Sequence, residues 1–246
     1  MGSLCQSWRV SPAPLIAIVQ HQDECPPARL TDWLAGAGAR LVTHRPDYGA
    51  RLPDPADVDG LIVLGGVMGA TDDDVAPWLP DVRDLIRRAS EAGVPVLGVC
   101  LGHQLAAAAL AGRVHHNPNG KQRGLTPIGY TAEADADQLF GSLPRGVRGV
   151  HSNNDVVADL PAGAVVLARA AGDEVQAVRF APTVWGVQWH PEVDSDLFAV
   201  WCSIDPPDDE ELAHVLVAEV EDAHDELDAA WRPLAVRFVE LCTPRG

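Results

Sequence analysis

The chain has 246 residues, a length that suits one large α/β domain with a substantial core. Hydrophobic residues make up 47% of it and charged residues 22%, and no apolar run reaches the roughly 18 residues that a membrane-spanning helix needs. The formal net charge of -17 opposes contact with the phosphate backbone of nucleic acids. We therefore expect neither a nucleic-acid nor a membrane partner.

Three further features of the composition bear on the compartment and on possible partners. Met1 to Val10 contain no basic segment followed by an apolar stretch, so no secretory signal is expected and the predicted location is the cytoplasm. No Lys or Arg occurs between Phe180 and Trp231, and we interpret this acidic stretch as a solvated helix face in preference to a docking surface. The cysteines are odd in number and form no CxxC pair, which favours neither a disulfide framework nor a zinc site: Cys5, Cys25, Cys100, Cys202 and Cys242.

The first half of the chain alternates between short apolar strands and longer helices. The predicted strands are Pro14–Val19, Arg40–His44, Gly60–Leu64 and Val94–Val99, and the predicted helices are Ala28–Ala39, about 78–92, and Cys100–Leu110. Such alternation predicts an open, mostly parallel sheet with helices on both faces.

After Gly112 the pattern changes to short strand-like pieces between Pro and Gly turns. These pieces are Gly124–Tyr130, Ala164–Arg169 and Glu174–Arg179, followed by a buried strand at Thr183–Trp189. The tail from Asp208 to Leu241 predicts two helices broken at Pro233, because proline interrupts helical hydrogen bonding. No repeat or low-complexity linker divides the chain, so we predict one domain over residues 1–246, with about 205–246 as a C-terminal helical extension.

The strongest chemical signal is the segment Val96-Leu-Gly-Val-Cys100-Leu-Gly-His-Gln104. A buried strand ends there at a turn of small residues and a helix begins at once, and ligands of open α/β sheets bind beyond the carboxyl ends of the strands. The dipole and free amides of a helix N-terminus favour the thiolate, which is the form that attacks. The pattern predicts that Cys100 is a nucleophile, and the alternative is a buried structural cysteine in a strand–helix corner.

A second signal is Val187-Gln-Trp-His190-Pro-Glu192. A thiol needs a base near neutral pH, and imidazole is suited to that task. A carboxylate two residues further on can fold back to the ring and fix its tautomer. The alternative for any single histidine is a structural role, which we assign to His103, His115, His116, His151 and the histidines of the tail.

The third signal is the loop Leu64-Gly65-Gly66-Val67-Met68-Gly69, which follows a predicted strand. Without side chains, such a loop lets backbone N–H groups approach a ligand closely. An oxyanion needs two donors, and the amides of Gly66 and Leu101 are the natural pair. On its own, a Gly-Gly turn after a strand is usually only a turn, and this one matches neither a phosphate-binding lysine motif nor the GxGxxG pattern.

Together these motifs resemble the class I, or triad, glutamine amidotransferases, in particular the glutaminase domain of GMP synthetase and its stand-alone relatives. The resemblance covers about the whole chain in the right order. It rests on Gly65-Gly66, Pro77-Trp78-Leu79, Gly98–Gln104, Asn117–Gly120, Ser152–Asp155 with Leu160-Pro161, Gly186–Glu192, and the tail Leu227–Leu241.

The resemblance implies a flavodoxin-like sheet and a reaction that uses neither a metal nor an organic cofactor. Cys100 would attack the carboxamide carbon of glutamine, His190 would move the protons, and Glu192 would orient His190. The resemblance likewise places the oxyanion on the amides of Gly66 and Leu101. It assigns substrate binding to Gln104, Met68, Asn153, Asn154 and Asp155.

The chain departs from the family pattern in several places. Val67 follows the glycine pair where the family usually has Pro, Ser152-Asn-Asn-Asp155 replaces Ser-His-Gly-Asp, and Trp189 replaces the commoner Phe. The segments between the motifs also contain no nucleotide-binding synthetase domain and no Gly-rich ATP loop.

Three functions are therefore weighed. The chain supplies ammonia from glutamine to an acceptor on a separate synthetase, or it hydrolyses a γ-glutamyl amide by itself, or it is a degenerate binding domain. Intact Cys100, His190 and Glu192 argue against the last, because a binding domain has no need of all three.

Overall fold

The computed structural model describes residues 12–207 and 209–244, so Cys5 and the Met1–Val10 segment, in which no secretory signal is expected, lie outside the described residues. The strands are β1 Leu15–Val19, β2 Arg40–His44, β3 Gly60–Val63, β4 Val96–Val99, β5 Arg113–His116, β6 Gln122–Pro127, β7 Gly129–Tyr130, β8 Arg148–Asn153, β9 Asp155–Asp159, β10 Val165–Arg169, β11 Val175–Ala181 and β12 Val184–Val187. The helices are α1 Arg29–Gly36, α2 Leu79–Glu91, α3 Leu101–Ala109, α4 Ser195–Ile204, α5 Glu210–Asp222 and α6 His224–Leu241.

One eight-stranded sheet, in the order β2-β1-β3-β4-β12-β11-β10-β7, forms the centre of the molecule. The first five strands in that order pair in parallel, and the last three are joined by antiparallel pairs. The parallel part has the strand order of the flavodoxin-like folds. The prediction of an open, mostly parallel sheet is confirmed.

The central strands are buried on both faces, which explains their continuous apolar sequences. In β1, Ile16 and Ile18 belong to the core that also contains side chains of α1 and α6. The alternate residues Ala17 and Val19 belong to the core that contains side chains of α2 and α3. Successive side chains of a strand point to opposite faces, so helices cover both faces of the sheet, as predicted.

Two small antiparallel sheets, β5 with β9 and β6 with β8, were not resolved from the sequence pattern. The segment Gly124–Tyr130, predicted as one strand, contributes to both β6 and β7, which belong to different sheets. In the β6–β8 pair Gln122 lies opposite Asn153. The register therefore places residues just before β6 beside the turn between β8 and β9.

The C-terminal tail is helical, but the prediction of a break at Pro233 was wrong. The break lies at Ala223, between α5 and α6, and Pro233 lies inside α6. A proline inside a helix costs about 3 kcal/mol. Complete burial of Trp231, Leu234 and Phe238 in the core outweighs that cost. Within residues 12–207 and 209–244, no helix is both long enough and apolar enough to cross a membrane.

Candidate active site

Cys100 lies on a tight turn between β4 and α3, with a backbone φ of 51° and ψ of -105°. Positive φ is unfavourable for a residue with a side chain, and such strain occurs at sites where the fold imposes it. Gly98 and Gly102 make this turn possible, because a Cβ at Gly98 would collide with the backbone of Gly102 and one at Gly102 with the backbone of Val63. The turn presents the Cys100 side chain at the N-terminus of α3, beyond the carboxyl end of the strand.

His190 and Glu192 form a buried pair just after β12. The Nδ1 of His190 lies 2.7 Å from Oε1 of Glu192, and the two residues are 3% and 1% exposed. Burial by itself lowers the pKa of His190, but the neighbouring negative charges of Cys100 and Glu192 outweigh it and raise that pKa to about 10. The imidazole is therefore suited to carry a proton between a thiol and a leaving group.

The glycine loop after β3 brings this pair against Cys100. A Cβ at Gly65 would lie 2.9 Å from Cε1 of His190 and 3.6 Å from Cβ of Cys100, so both residues pack on the same backbone position. A Cβ at Gly66 would lie 2.9 Å from Cδ2 of Leu101. The structure thus gathers the predicted nucleophile, base and both predicted oxyanion donors at the carboxyl ends of β3, β4 and β12.

Two buried glutamines connect Cys100 to the turn after β8. Gln188, which is fully buried, donates from Nε2 to Sγ of Cys100 at 3.6 Å. Its Oε1 accepts from Nε2 of Gln104 at 3.2 Å, and the same Nε2 donates to the backbone oxygen of Asp155 at 3.0 Å. Because both amide hydrogens of Gln104 are bonded within the protein, only its Oε1 can serve the substrate binding predicted for it.

A cavity of about 150 Å³ opens over Cys100 and His190. All the predicted substrate-binding residues line it, together with Gly66; the five are Met68, Gln104, Asn153, Asn154 and Asp155. The side chain of Asp155 pairs with His116, with its Oδ1 2.9 Å from Nδ1 of the imidazole. Leu101 and Glu192 lie behind the lining. Within the described part of the chain, no group of three or more His, Cys, Asp or Glu side chains could hold a metal ion.

Several lining residues were not predicted from the sequence. Lys121, Trp201 and Asp205 come from the segment before β6 and from α4 and its end. Trp201 contacts the His190 ring at 4.5 Å between centroids and donates from Nε1 to the Glu24 oxygen at 2.6 Å. Gln188 was also missed, although two-residue alternation puts it on the same side of the strand as His190. Trp201 carries no such local signal, because α4 itself was not predicted.

The other described cysteines are buried and differ from Cys100 in setting. Burial raises the pKa of Cys25, of Cys202 and of Cys242, the last to about 12. None of the three begins a helix at the end of a central strand. Cys25 also lines the cavity, so a labelling experiment must separate it from Cys100.

Comparison with known proteins gives concordant matches. The family model of glutamine amidotransferase class-I matches residues 30–199. The glutamine-hydrolyzing GMP synthase subunit of Methanosarcina acetivorans is 38% identical over 55% of this chain, a match that spans 65% of that relative and so slightly less than two thirds of its length. The corresponding subunit of Archaeoglobus fulgidus is 34% identical over 58% of this chain and 72% of its own.

Solved structures match over nearly the whole chain. A glutamine amido transferase from Methylobacillus flagellatus has a TM-score of 0.84 at 26% identity and covers 95% of this chain and 97% of its own. A glutamine amidotransferase from Thermotoga maritima has a TM-score of 0.82 at 23% identity, covers 92% and 98% in the same way, and by itself shows the fold alone.

Proposed function

Because the chain belongs to the class I glutamine amidotransferase family, we propose that it hydrolyses the side-chain amide of glutamine through a cysteinyl thioester and releases glutamate and ammonia. The observation that carries the proposal is the buried His190, with Glu192 bonded at Nδ1 and Cys100 within electrostatic reach. A nucleophile, a base and an orienting carboxylate are the three groups that such a hydrolysis needs.

In the first half of the reaction, the Cys100 sulfur attacks the carboxamide carbon of glutamine. The thiol proton passes to His190, and the carbonyl oxygen takes the negative charge. The amides of Gly66 and Leu101 donate to this oxyanion, the latter from the free N-terminus of α3. When the intermediate collapses, His190 gives its proton to the departing nitrogen, and ammonia leaves a glutamyl thioester on Cys100.

In the second half, water replaces ammonia. His190, neutral after its proton has left, takes a proton from the water, and the hydroxide attacks the thioester carbon. The carbon–sulfur bond breaks, glutamate is released, and the proton on His190 returns to the sulfur. Glu192 keeps the imidazole in one tautomer throughout, because it accepts from Nδ1 and leaves Nε2 to the reaction.

The proposed acceptor of the ammonia lies on a separate synthetase. Relatives of this chain are named as one subunit of GMP synthase, which supports a division of the work between chains. Ammonia near neutral pH is mostly ammonium, which is not a nucleophile, so direct delivery to a docked acceptor is favoured. The loop Gly65–Gly69 is the proposed switch, whose peptide would turn to present its oxyanion donor when the partner is bound.

We further propose that residues 1–246 act as one amidotransferase domain. In this organisation about 205–246 is a helical extension that joins the body through α6, whose apolar face contributes to the same core as α1. The proposed location is the cytoplasm.

Ammonia and glutamate release from the purified chain tests the proposal. We expect slow hydrolysis of L-glutamine, with the thioester trapped on Cys100 by acid quench, and faster hydrolysis when the right synthetase and its substrate are added. Fast turnover of one γ-glutamyl compound without any added protein would instead favour a self-sufficient γ-glutamyl amide hydrolase. Absence of both activities would favour a degenerate binding domain.

A further inference from the structure

The cavity has an uneven charge balance. Apart from His190, its charged lining consists of Glu24, Asp155 and Asp205, which are acidic, and Lys121, which is the only lysine in the chain. A substrate carboxylate that enters this cavity meets repulsion from the acidic side chains unless it lies beside Lys121. A glutamyl substrate carries such a carboxylate at its α-carbon.

Lys121 has donors left for a ligand. It donates to Asp205, and Nη2 of Arg123 also lies 2.9 Å from the same carboxylate oxygen. These two cations share one carboxylate, and bonding to Lys121 holds the pKa of Asp205 below its usual range. Because an ammonium group has three N–H donors, Lys121 is fixed in place by Asp205 while further donors can reach a second carboxylate.

Asn153 places an acceptor beside Lys121. It lies opposite Gln122 in the β6–β8 pair and is only 4% exposed. Its Nδ2 donates to Oε1 of Gln122 and to the backbone oxygen of Asp155, both at 3.1 Å. Its Oδ1 is buried and has no hydrogen-bond partner among the described residues. A buried acceptor without a donor is unfavourable, which points to a donor supplied by a ligand.

We propose that Lys121 and Asn153 form the subsite for the free amino-acid end of the acyl donor. Lys121 Nζ pairs with the α-carboxylate, and Asn153 Oδ1 accepts from the α-ammonium. This inference rests on the proposed function, because it takes the substrate to be a glutamyl compound that reacts at Cys100. It gives the replacement of Ser-His-Gly-Asp by Ser152-Asn-Asn-Asp155 a role, and it predicts that compounds with a blocked α-carboxylate or α-amine are poor substrates.

Substrates that lack one group at a time test each contact. L-Glutamine is compared with 4-aminobutanamide, which lacks the α-carboxylate, and with 5-amino-5-oxopentanoate, which lacks the α-amine. In Lys121→Met we expect kcat/KM for L-glutamine to fall roughly 10- to 100-fold, mainly through KM, as for loss of a charge-assisted contact, and kcat/KM for 4-aminobutanamide to change little. Lys121→Arg should restore part of the loss. Asn153→Ala should act on L-glutamine but not on 5-amino-5-oxopentanoate.

Arg113→Met is the matched control, since it removes a cation that pairs with Asp159 on the exposed surface and does not line the cavity. It should leave all three substrates unaffected. Equal losses of Lys121→Met on L-glutamine and 4-aminobutanamide, or no loss on either, would overturn the subsite.

Calorimetric binding of L-glutamine separates failure of the subsite from failure of the proposed function. The Cys100→Ala chain should bind L-glutamine, and addition of Lys121→Met should weaken that binding by a similar factor. If the parent chain hydrolyses nothing but this difference in binding appears, the subsite stands and the hydrolysis does not. Equal binding by the two variants, or no binding by either, overturns the subsite whatever the parent chain hydrolyses.

Discussion

The floor and the rim of the cavity are built differently. The floor, here Gly65, Cys100, His190 and Glu192, lies at the ends of central strands, and its three side chains are at most 5% exposed. The rim, here Lys121, 152–155, Trp201 and Asp205, comes from the small β6–β8 sheet, the turn after it and α4. The Asp205 side chain is 61% exposed. Rigid, dry surroundings strengthen the charge effects that chemistry needs, whereas recognition of a polar substrate tolerates water.

The largest effect should follow removal of the nucleophile from the floor. Cys100→Ala abolishes the thioester route, and we expect kcat for L-glutamine to fall by roughly 10⁴-fold or more. A diazo-ketone glutamine analogue should add mass only to the peptide that contains Cys100. Label on Cys25 instead would show that the wrong thiol has been assigned, and Cys202→Ala, which leaves the cavity untouched, is the control.

Next in size should be the loss of the base and then of its orienting carboxylate. His190→Ala should reduce kcat by roughly 10²- to 10⁴-fold, and Glu192→Gln by less, because the imidazole remains. Glu192 raises the pKa of His190, so its neutral replacement lowers that pKa. Since protonated His190 serves the departing nitrogen, the alkaline limb of the pH profile of kcat should move to lower pH in Glu192→Gln. An unmoved limb, or full activity of His190→Ala, would contradict these roles.

The floor is also the part of the site that the sequence predicts well. A strand that ends in Val-Cys100-Leu-Gly fixes a strand–helix turn locally, and His190 and Glu192 are two residues apart. Lys121 and Asp205 meet only because β6 and the end of α4 pack together, and no short-range pattern announces that contact. The same reason explains the tail, where burial of Trp231 and Phe238 keeps Pro233 inside α6 against its own preference.

A subtler change to the floor tests its packing rather than its chemistry. Gly65→Ala places a methyl group 2.9 Å from Cε1 of His190, so the imidazole must shift. A displacement of this kind should lower kcat by roughly 10- to 100-fold. Gly36→Ala is the control, because a Cβ there has nothing within 4 Å. Equal kinetics of the two variants would mean that the position of His190 is not fixed by this contact.

The smallest effect should come from Trp201, the one rim residue that touches the floor. Its ring lies 4.5 Å from that of His190, and its Nε1 donates to the Glu24 oxygen. An aromatic contact of this kind contributes about 0.5–1.5 kcal/mol, so Trp201→Leu should lower kcat roughly 2- to 10-fold. Trp201→Phe keeps a ring against His190 but loses the hydrogen bond, and it should retain most of the activity. Because Trp201 is only half-buried, both variants should melt within a few degrees of the parent chain in calorimetry. If Trp201→Phe loses as much activity as Trp201→Leu, the hydrogen bond to Glu24, and with it the placement of the rim, matters more than the ring contact.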